Sequence, residues 1–195
     1  MEFLFRRSWY IFIKDVIHKL FAFRGLFVTV LVTSYLILGN QLLEQTKIRP
    51  LVLTHNQIAL NKLQPIFASQ DFGSLQIDKS ANGNILSVAG KRFENGLGTH
   101  ANSKIDYILP NNTMELTFLF GLDDEVESAN VTFSVWSDDT LLWQSQPVYG
   151  SERNLEPVSI ALKNITHLSL RVSSNGDISS DHADWIQPIL TLGEQ

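Results

Sequence analysis

Apolar positions fall along this chain in two regimes. Over residues 25–43 they run together, and GLFVTVLVTSYLILGNQLL carries no charge across nineteen residues. At about 1.5 Å of rise per residue, such a helix comes close to the ~30 Å hydrocarbon core of a bilayer. The pattern predicts a single N-terminal transmembrane helix there. From about residue 72 the apolar positions alternate instead. Leu116, Phe118, Phe120 and Leu122 occupy every second place, as do Val131, Phe133 and Val135. Val158, Ile160 and Leu162 repeat the pattern, and so do Leu168, Leu170 and Val172. A period of two puts one face of a strand on a core.

Turn chemistry separates these runs. Asn82 with Gly83, Asn95 with Gly96, Pro110 with Asn111, Asp138 with Asp139, and Asn175 with Gly176 are residues that turn the chain. Short strands at this spacing predict an all-β, two-sheet sandwich or jelly roll. No βαβ pattern appears, which excludes the α/β phosphate-binding folds.

Charge sharpens the division. The net charge of -5 is unevenly spread. Residues 1–70 carry eight Lys/Arg against three Asp/Glu, a balance of +5, and residues 71–195 carry seven against seventeen, a balance of -10. An acidic domain repels phosphate backbones, so nucleic acid is excluded as a partner. Arg6, Arg7, Lys14, Lys19 and Arg24 precede the apolar run. By the positive-inside rule they place the N-terminus in the cytoplasm and the domain outside, as a single-pass membrane protein. The organisation expected is then a cytoplasmic basic segment over 1–24, a transmembrane helix and membrane contact over 25–43, a stalk over 44–65, and a sandwich over 66–195. Residues 8–23 read either as an interfacial helix or as an extension of the anchor. Thr54 with Gln57 suggests a short helix within the stalk.

The absence of cysteine removes disulfides, thiolate metal sites and a cysteine nucleophile. Four clusters carry candidate chemistry. Gly96, Gly98 and His100 form a structural motif, since glycines two apart let backbones approach closely. Asp123, Asp124, Glu125 and Glu127 follow an apolar strand. They are either a solvated loop or oxygen donors for calcium, at Asp123 and Asp124, and no other cofactor is implied. Trp136, Asp138, Asp139 and Trp143 offer indoles for a sugar's C–H face and carboxylates for its hydroxyls, unless the indoles are core. Asp181, His182, Asp184 and Trp185 either bind a ligand or clamp the last strand. No H-E-x-x-H or G-x-S-x-G pattern occurs, so hydrolytic zinc and serine sites lack support.

Together the blocks GKRFENGLGTHANSKIDYILP (90–110), FGLDDE (120–125), VTFSVWSDDTLL (131–142) and DHADW (181–185) resemble those of the NPCBM family, carbohydrate-binding modules first noted beside glycosidases such as family 98. The likeness covers roughly residues 66–195. It implies a galactose-binding-domain-like jelly roll and a non-catalytic, lectin-like role, with galactose-containing glycans as ligands. Ser137, Asp138, Asp139 and Thr140 stand where the family commonly has a G-D-G-type turn. Two other functions remain open. One is a structural module that binds a protein partner. The other is a glycosidase or its accessory fragment, which needs paired carboxylates across a cleft.

Overall fold

The computed structural model describes residues 28–44, 47–150 and 155–194, together with Lys14 and His18. It divides into two units, Met1–Gln45 and Thr46–Gln195.

In the first unit, residues 28–44 are helical. Among the described residues no helix is long and apolar enough to cross a membrane. This corrects the expected transmembrane helix, and with it the single-pass topology, the membrane contact over 25–43 and the sidedness drawn from them. Over the described residues the helix runs from 28 to 44, about 26 Å against the ~30 Å hydrocarbon core. Its last turns carry Gly39, Asn40, Gln41 and Glu44. Apart from Lys14 and His18, segment 1–24 and the two readings of residues 8–23 lie outside the described residues.

The second unit is all-β. Its strands in chain order are β1 (Ile48–Arg49), β2 (Gln57–Ala59), β3 (Phe67–Gln70), β4 (Gln76–Ile77), β5 (Leu86–Val88), β6 (Lys91–Phe93), β7 (Gly96–His100), β8 (Ser103–Ile108), β9 (Thr113–Leu122), β10 (Asn130–Ser137), β11 (Thr140–Gln144), β12 (Val148–Tyr149), β13 (Val158–Ala161), β14 (His167–Ser174) and β15 (His182–Leu192). One six-stranded sheet runs β11-β10-β14-β8-β3, with β12 beside β10. The other runs β13-β9-β15-β7-β4, with β2 beside β15. Between them lies the main core, built from the alternating residues: Leu116, Phe118, Val131, Phe133, Val135, Leu168, Leu170 and Val172, joined by Tyr107 and Trp185.

From Thr46 onward the expected stalk belongs to this unit. Ile58 pairs with Leu190, and Ala59 and Leu60 are buried. Gln57 Oε1 accepts a hydrogen bond from the Thr54 amide at 3.1 Å, the contact its spacing suggested. The helix shrinks to a single 3-10 turn, Leu60–Lys62, because Gln57–Ala59 is taken up as a strand by the sheet edge.

A third layer covers the outer face of the second sheet. Strands β1, β6 and β5 form a small sheet. Leu86, Val88 and Phe93 close over Ile186 in a separate apolar cluster. Glycines make the approach feasible. Gly98 and Gly121 flank Asp184 in register, and Gly96 flanks Ile186. A Cβ on Gly98 would stand 2.2 Å from Lys79 O, and one on Gly121 would stand 2.4 Å from Val88 Cγ1. Bare backbone at these positions lets segment 78–90 lie directly on the sheet.

A candidate ligand-binding edge

The connections after β3, β7, β9 and β14 all leave the sandwich at one end, because antiparallel pairing sets His100 opposite His182, Gln70 opposite Ser103, Ser174 opposite Val131, and Leu122 opposite Ala183. Antiparallel sheets gather alternate loops in this way. Binding groups commonly sit on such loops, held by the rigid strands beneath.

The loop after β3 carries Phe72, which is 66% exposed. Gln70 fixes this loop to β7, donating to Phe72 O at 2.6 Å and accepting from the Thr99 hydroxyl at 2.9 Å. Asp71 is tied to the next loop. Its carboxylate accepts from Asn102 Nδ2 at 2.9 Å, and its amide donates to Asn102 O. The Asn102 side-chain bond, followed by its backbone, holds the Asp71 carboxyl below the usual Asp range. The Phe72 ring stands 5.6 Å from the ring of His100, and His100 stands 5.4 Å from His182 in an edge contact.

Both imidazoles are oriented by an acceptor at Nδ1. His100 Nδ1 donates to Ala101 O at 2.6 Å, and His182 Nδ1 donates to Glu125 Oε1 at 2.7 Å. With the proton fixed on Nδ1, Nε2 of each neutral ring is a hydrogen-bond acceptor. Neither Nε2 has a protein partner among the described residues. Glu125 is held in turn by Asn84 Nδ2 at 2.8 Å and the Ser80 hydroxyl at 3.0 Å. Burial pushes its pKa up. The bonds from Asn84, His182 and Ser80 outweigh that effect and leave the carboxyl below the usual Glu range. The edge therefore combines an exposed aromatic face, two imidazoles that are themselves nearly buried, at 4% and 9% exposure, and a fixed anion.

Beneath it lie groups that do not reach solvent. Asp184 and Trp185 are fully enclosed, as is Asp181. Trp185 packs edge-on against Phe118 and Phe133, with no ring surface to offer a sugar. No donor reaches either oxygen of Asp184 among the described residues. Burial first, and then the nearby Asp123, hold its carboxyl well above the usual range. Burial raises Asp123 as well. Its oxygens accept from the amides of Ser87 and Glu125. Asp124 accepts from the Ser87 hydroxyl and the Gly90 amide. These carboxylates thus have protein donors, and among the described residues no group of three or more His, Cys, Asp or Glu is arranged to hold a metal ion. Asp181 accepts from the Asn130 amide at 3.2 Å, tying the β14–β15 loop to β10.

The tryptophan cluster divides. Trp136 and Trp143 lie on opposite faces of the first sheet. Trp143 turns inward, 5.3 Å from Phe118 and 5.0 Å from Phe120. Trp136 lies outside, with the Arg171 guanidinium 4.6 Å from its ring centre. Asp138 stands beside His167 at 3.1 Å, and Asp139 is exposed. This hairpin closes at the far end of β10 from the His100 edge, so the two expected surfaces are not one site.

Phe72, Asn84 and Asn102 were not singled out by the sequence. Phe72 had a signal, as a lone aromatic in the polar stretch Ser69, Gln70, Asp71, Gly73 and Ser74. The amides had none, since their role depends on loops distant in sequence.

Known proteins share this architecture. Alpha-1,3-galactosidase B of Akkermansia muciniphila is 32% identical over 125 residues, which are 62% of this chain and 16% of that enzyme. The CBM51 of Clostridium perfringens GH95, solved in complex with methyl-galactose, superposes with a TM-score of 0.64 at 28% identity, over 69% of this chain and 99% of that one. The CBM51-2 and INT domains of Clostridium perfringens ZmpB, in complex with GlcNAc, give 0.65 at 23% identity, over 70% and 31% of the two chains. The NPCBM/NEW2 domain matches residues 56–191, the sandwich and its loop edge together, and this chain belongs to that family.

Proposed function

We propose that the chain is a non-catalytic carbohydrate-binding module that takes galactose-containing glycans at the Phe72 edge. Phe72 supplies a stacking face for the apolar side of a pyranose ring. His100 and His182 accept hydroxyl protons at Nε2, and Asn84 and Asn102 line the rim. The observation that carries this reading is the juxtaposition of an exposed Phe72 with two histidines whose Nδ1 protons are already committed. Hydroxyl-rich ligands suit such a surface, because preset acceptors need no reordering on binding. The methyl-galactose bound by a relative of 28% identity, and the galactosidase to which a 32% identical segment belongs, support the choice of sugar.

Binding of the full chain to a glycan array, followed by calorimetry with the strongest hit, tests the proposal. Galactose-terminated glycans are expected among the hits, and Phe72→Ala is expected to abolish them without unfolding the domain. A folded chain that binds no glycan would overturn the proposal and favour a protein-interaction role.

A further inference from the structure

Another cleft, of about 540 Å³, opens at the same end of the sandwich, between the β9–β10 loop, the end of β12 and the β14–β15 loop. Glu127, Asn130, Tyr149, Asn175, Asp177 and Ser179 line it. None of these belongs to the Phe72–His100–His182 edge. The cleft's wall is set by close backbone contact. A Cβ on Gly150 would meet Glu127 O at 2.5 Å, and the Gly150 amide donates to Ala129 O.

Two properties of the lining point to a ligand class. The first is unbalanced charge. Among the described residues, Glu127 and Asp177 have no cation partner. Asp177 Oδ1 accepts from the Ser179 amide and hydroxyl, which hold its carboxyl below the usual range. The second is the mixture of surfaces. Tyr149 is 48% exposed, presenting a ring and a phenolic hydroxyl. Ser179 lines the cleft as a neutral polar group, and the Asn130 and Asn175 side chains beside it are held together by a hydrogen bond from Asn175 Nδ2 to Asn130 Oδ1. Two anions beside an aromatic face attract an ammonium, and the neutral groups suit hydroxyls. A pyranose bearing a free amine unites these features.

We propose that this cleft is a second binding site, selective for a de-N-acetylated amino sugar, with Glu127 and Asp177 facing the ammonium and Tyr149 the ring.

The test compares two ligands of equal size on the full chain. Calorimetry with the glucosamine trisaccharide is expected to give binding that the N-acetylglucosamine trisaccharide does not match. That binding is expected to weaken about tenfold in the Glu127→Gln, Asp177→Asn double variant, the scale of one charge-assisted hydrogen bond. It is also expected to weaken as NaCl rises from about 25 mM to about 250 mM, since the ion pairs are exposed. Tyr149→Ala is expected to weaken it independently of salt. Binding to a methyl-galactoside is expected to be unchanged in the double variant, so failure of the Phe72 edge and failure of the cleft are separable. Equal affinity of the wild type and the double variant for the glucosamine trisaccharide would overturn the proposal, as would preference for the acetylated sugar. Equally tight, equally carboxylate-dependent binding of a lysine tripeptide would also overturn it, reassigning the cleft to a basic peptide.

Discussion

Glu125 and His182 lie 57 positions apart in the chain and meet at 2.7 Å, carboxylate to Nδ1. This pair joins the β9–β10 loop to the first residue of β15. Through Ser80 and Asn84 it also joins the segment that covers the sheet. One carboxylate thereby accepts the Nδ1 hydrogen bond of the His182 imidazole and pins two loops.

That arrangement has a pH signature. Glu125 sits below the usual Glu range because its hydrogen bonds outweigh its burial. A depressed folded pKa contributes stability that is present above the unfolded value and lost as pH falls through the folded one. The wild-type melting temperature should therefore fall more steeply than that of Glu125→Gln as pH drops through and below ~4.3, the unperturbed Glu value. Acid loss from Asp71, Asp106 and Asp177, also depressed, is common to both proteins and cancels in the difference. Parallel melting curves across that range would sink the assignment.

Asp184 predicts the opposite sign. Its folded pKa is raised by burial and by Asp123. Such a group contributes stability below the unfolded Asp value, and that stability is lost as pH rises through the folded one. Asp184→Asn keeps the shape without the ionisation. Its melting temperature should therefore fall less than the wild type's as pH rises above ~3.9, the unperturbed Asp value, while loss from Asp123, also raised, is common to both. Thermal denaturation over the rising pH series checks this, and a variant that declines in parallel with the wild type would contradict the raised Asp184 carboxyl.

How much of this was legible in the sequence follows from what alternation can report. The period-two runs at Leu116, Val131 and Leu168 became β9, β10 and β14 with their apolar faces inward. One face on a core is what that pattern encodes. On β15 it failed. Asp184 and Ile186 lie on the outer face, yet both are fully buried, because Leu86, Val88 and Phe93 cover them. Nothing local to DHADW announces a third layer supplied some hundred residues earlier. The helix at 28–44 shows another limit. Charge-free length suggested a span, but Gly39, Asn40 and Gln41 reduce its apolar character without adding charge. His100 and His182 were singled out separately, and only the β7–β15 register brings them together.

The glycines at the covered face give a stability series. Gly98→Ala places a methyl against Lys79 O and the Ser80 backbone, which have no side-chain rotamer with which to yield. It should cost about 3 kcal/mol, the upper part of the range for overpacking. Gly83→Ala meets open space at φ +83, so only backbone strain opposes it, and about 1 kcal/mol is expected. Gly176→Ala, with open space and no positive φ, should be near neutral. Urea unfolding ranks the three, and a tolerated Gly98→Ala would contradict the close packing of segment 78–90.

Three aromatic residues separate ligand contact from stability. Phe72 is mostly solvent-exposed, so Phe72→Ala should change the melting temperature little while removing galactoside binding. Trp143 packs edge-on against two core phenylalanines, and Trp143→Ala should cost about 2–3 kcal/mol, below the full cost for an enclosed aromatic because it is half-buried. Trp136 lies at the other end of the sandwich under the Arg171 guanidinium, and Trp136→Ala should cost about 1 kcal/mol, the scale of one cation–π contact, with binding intact. Calorimetry with a galactoside and urea unfolding on each variant give a two-by-three table of expectations in which only Phe72 loses affinity without losing stability. If Trp136→Ala loses affinity and Phe72→Ala keeps it, the ligand sits on the outer face of the first sheet, and the loop edge at His100 and His182 is a structural junction.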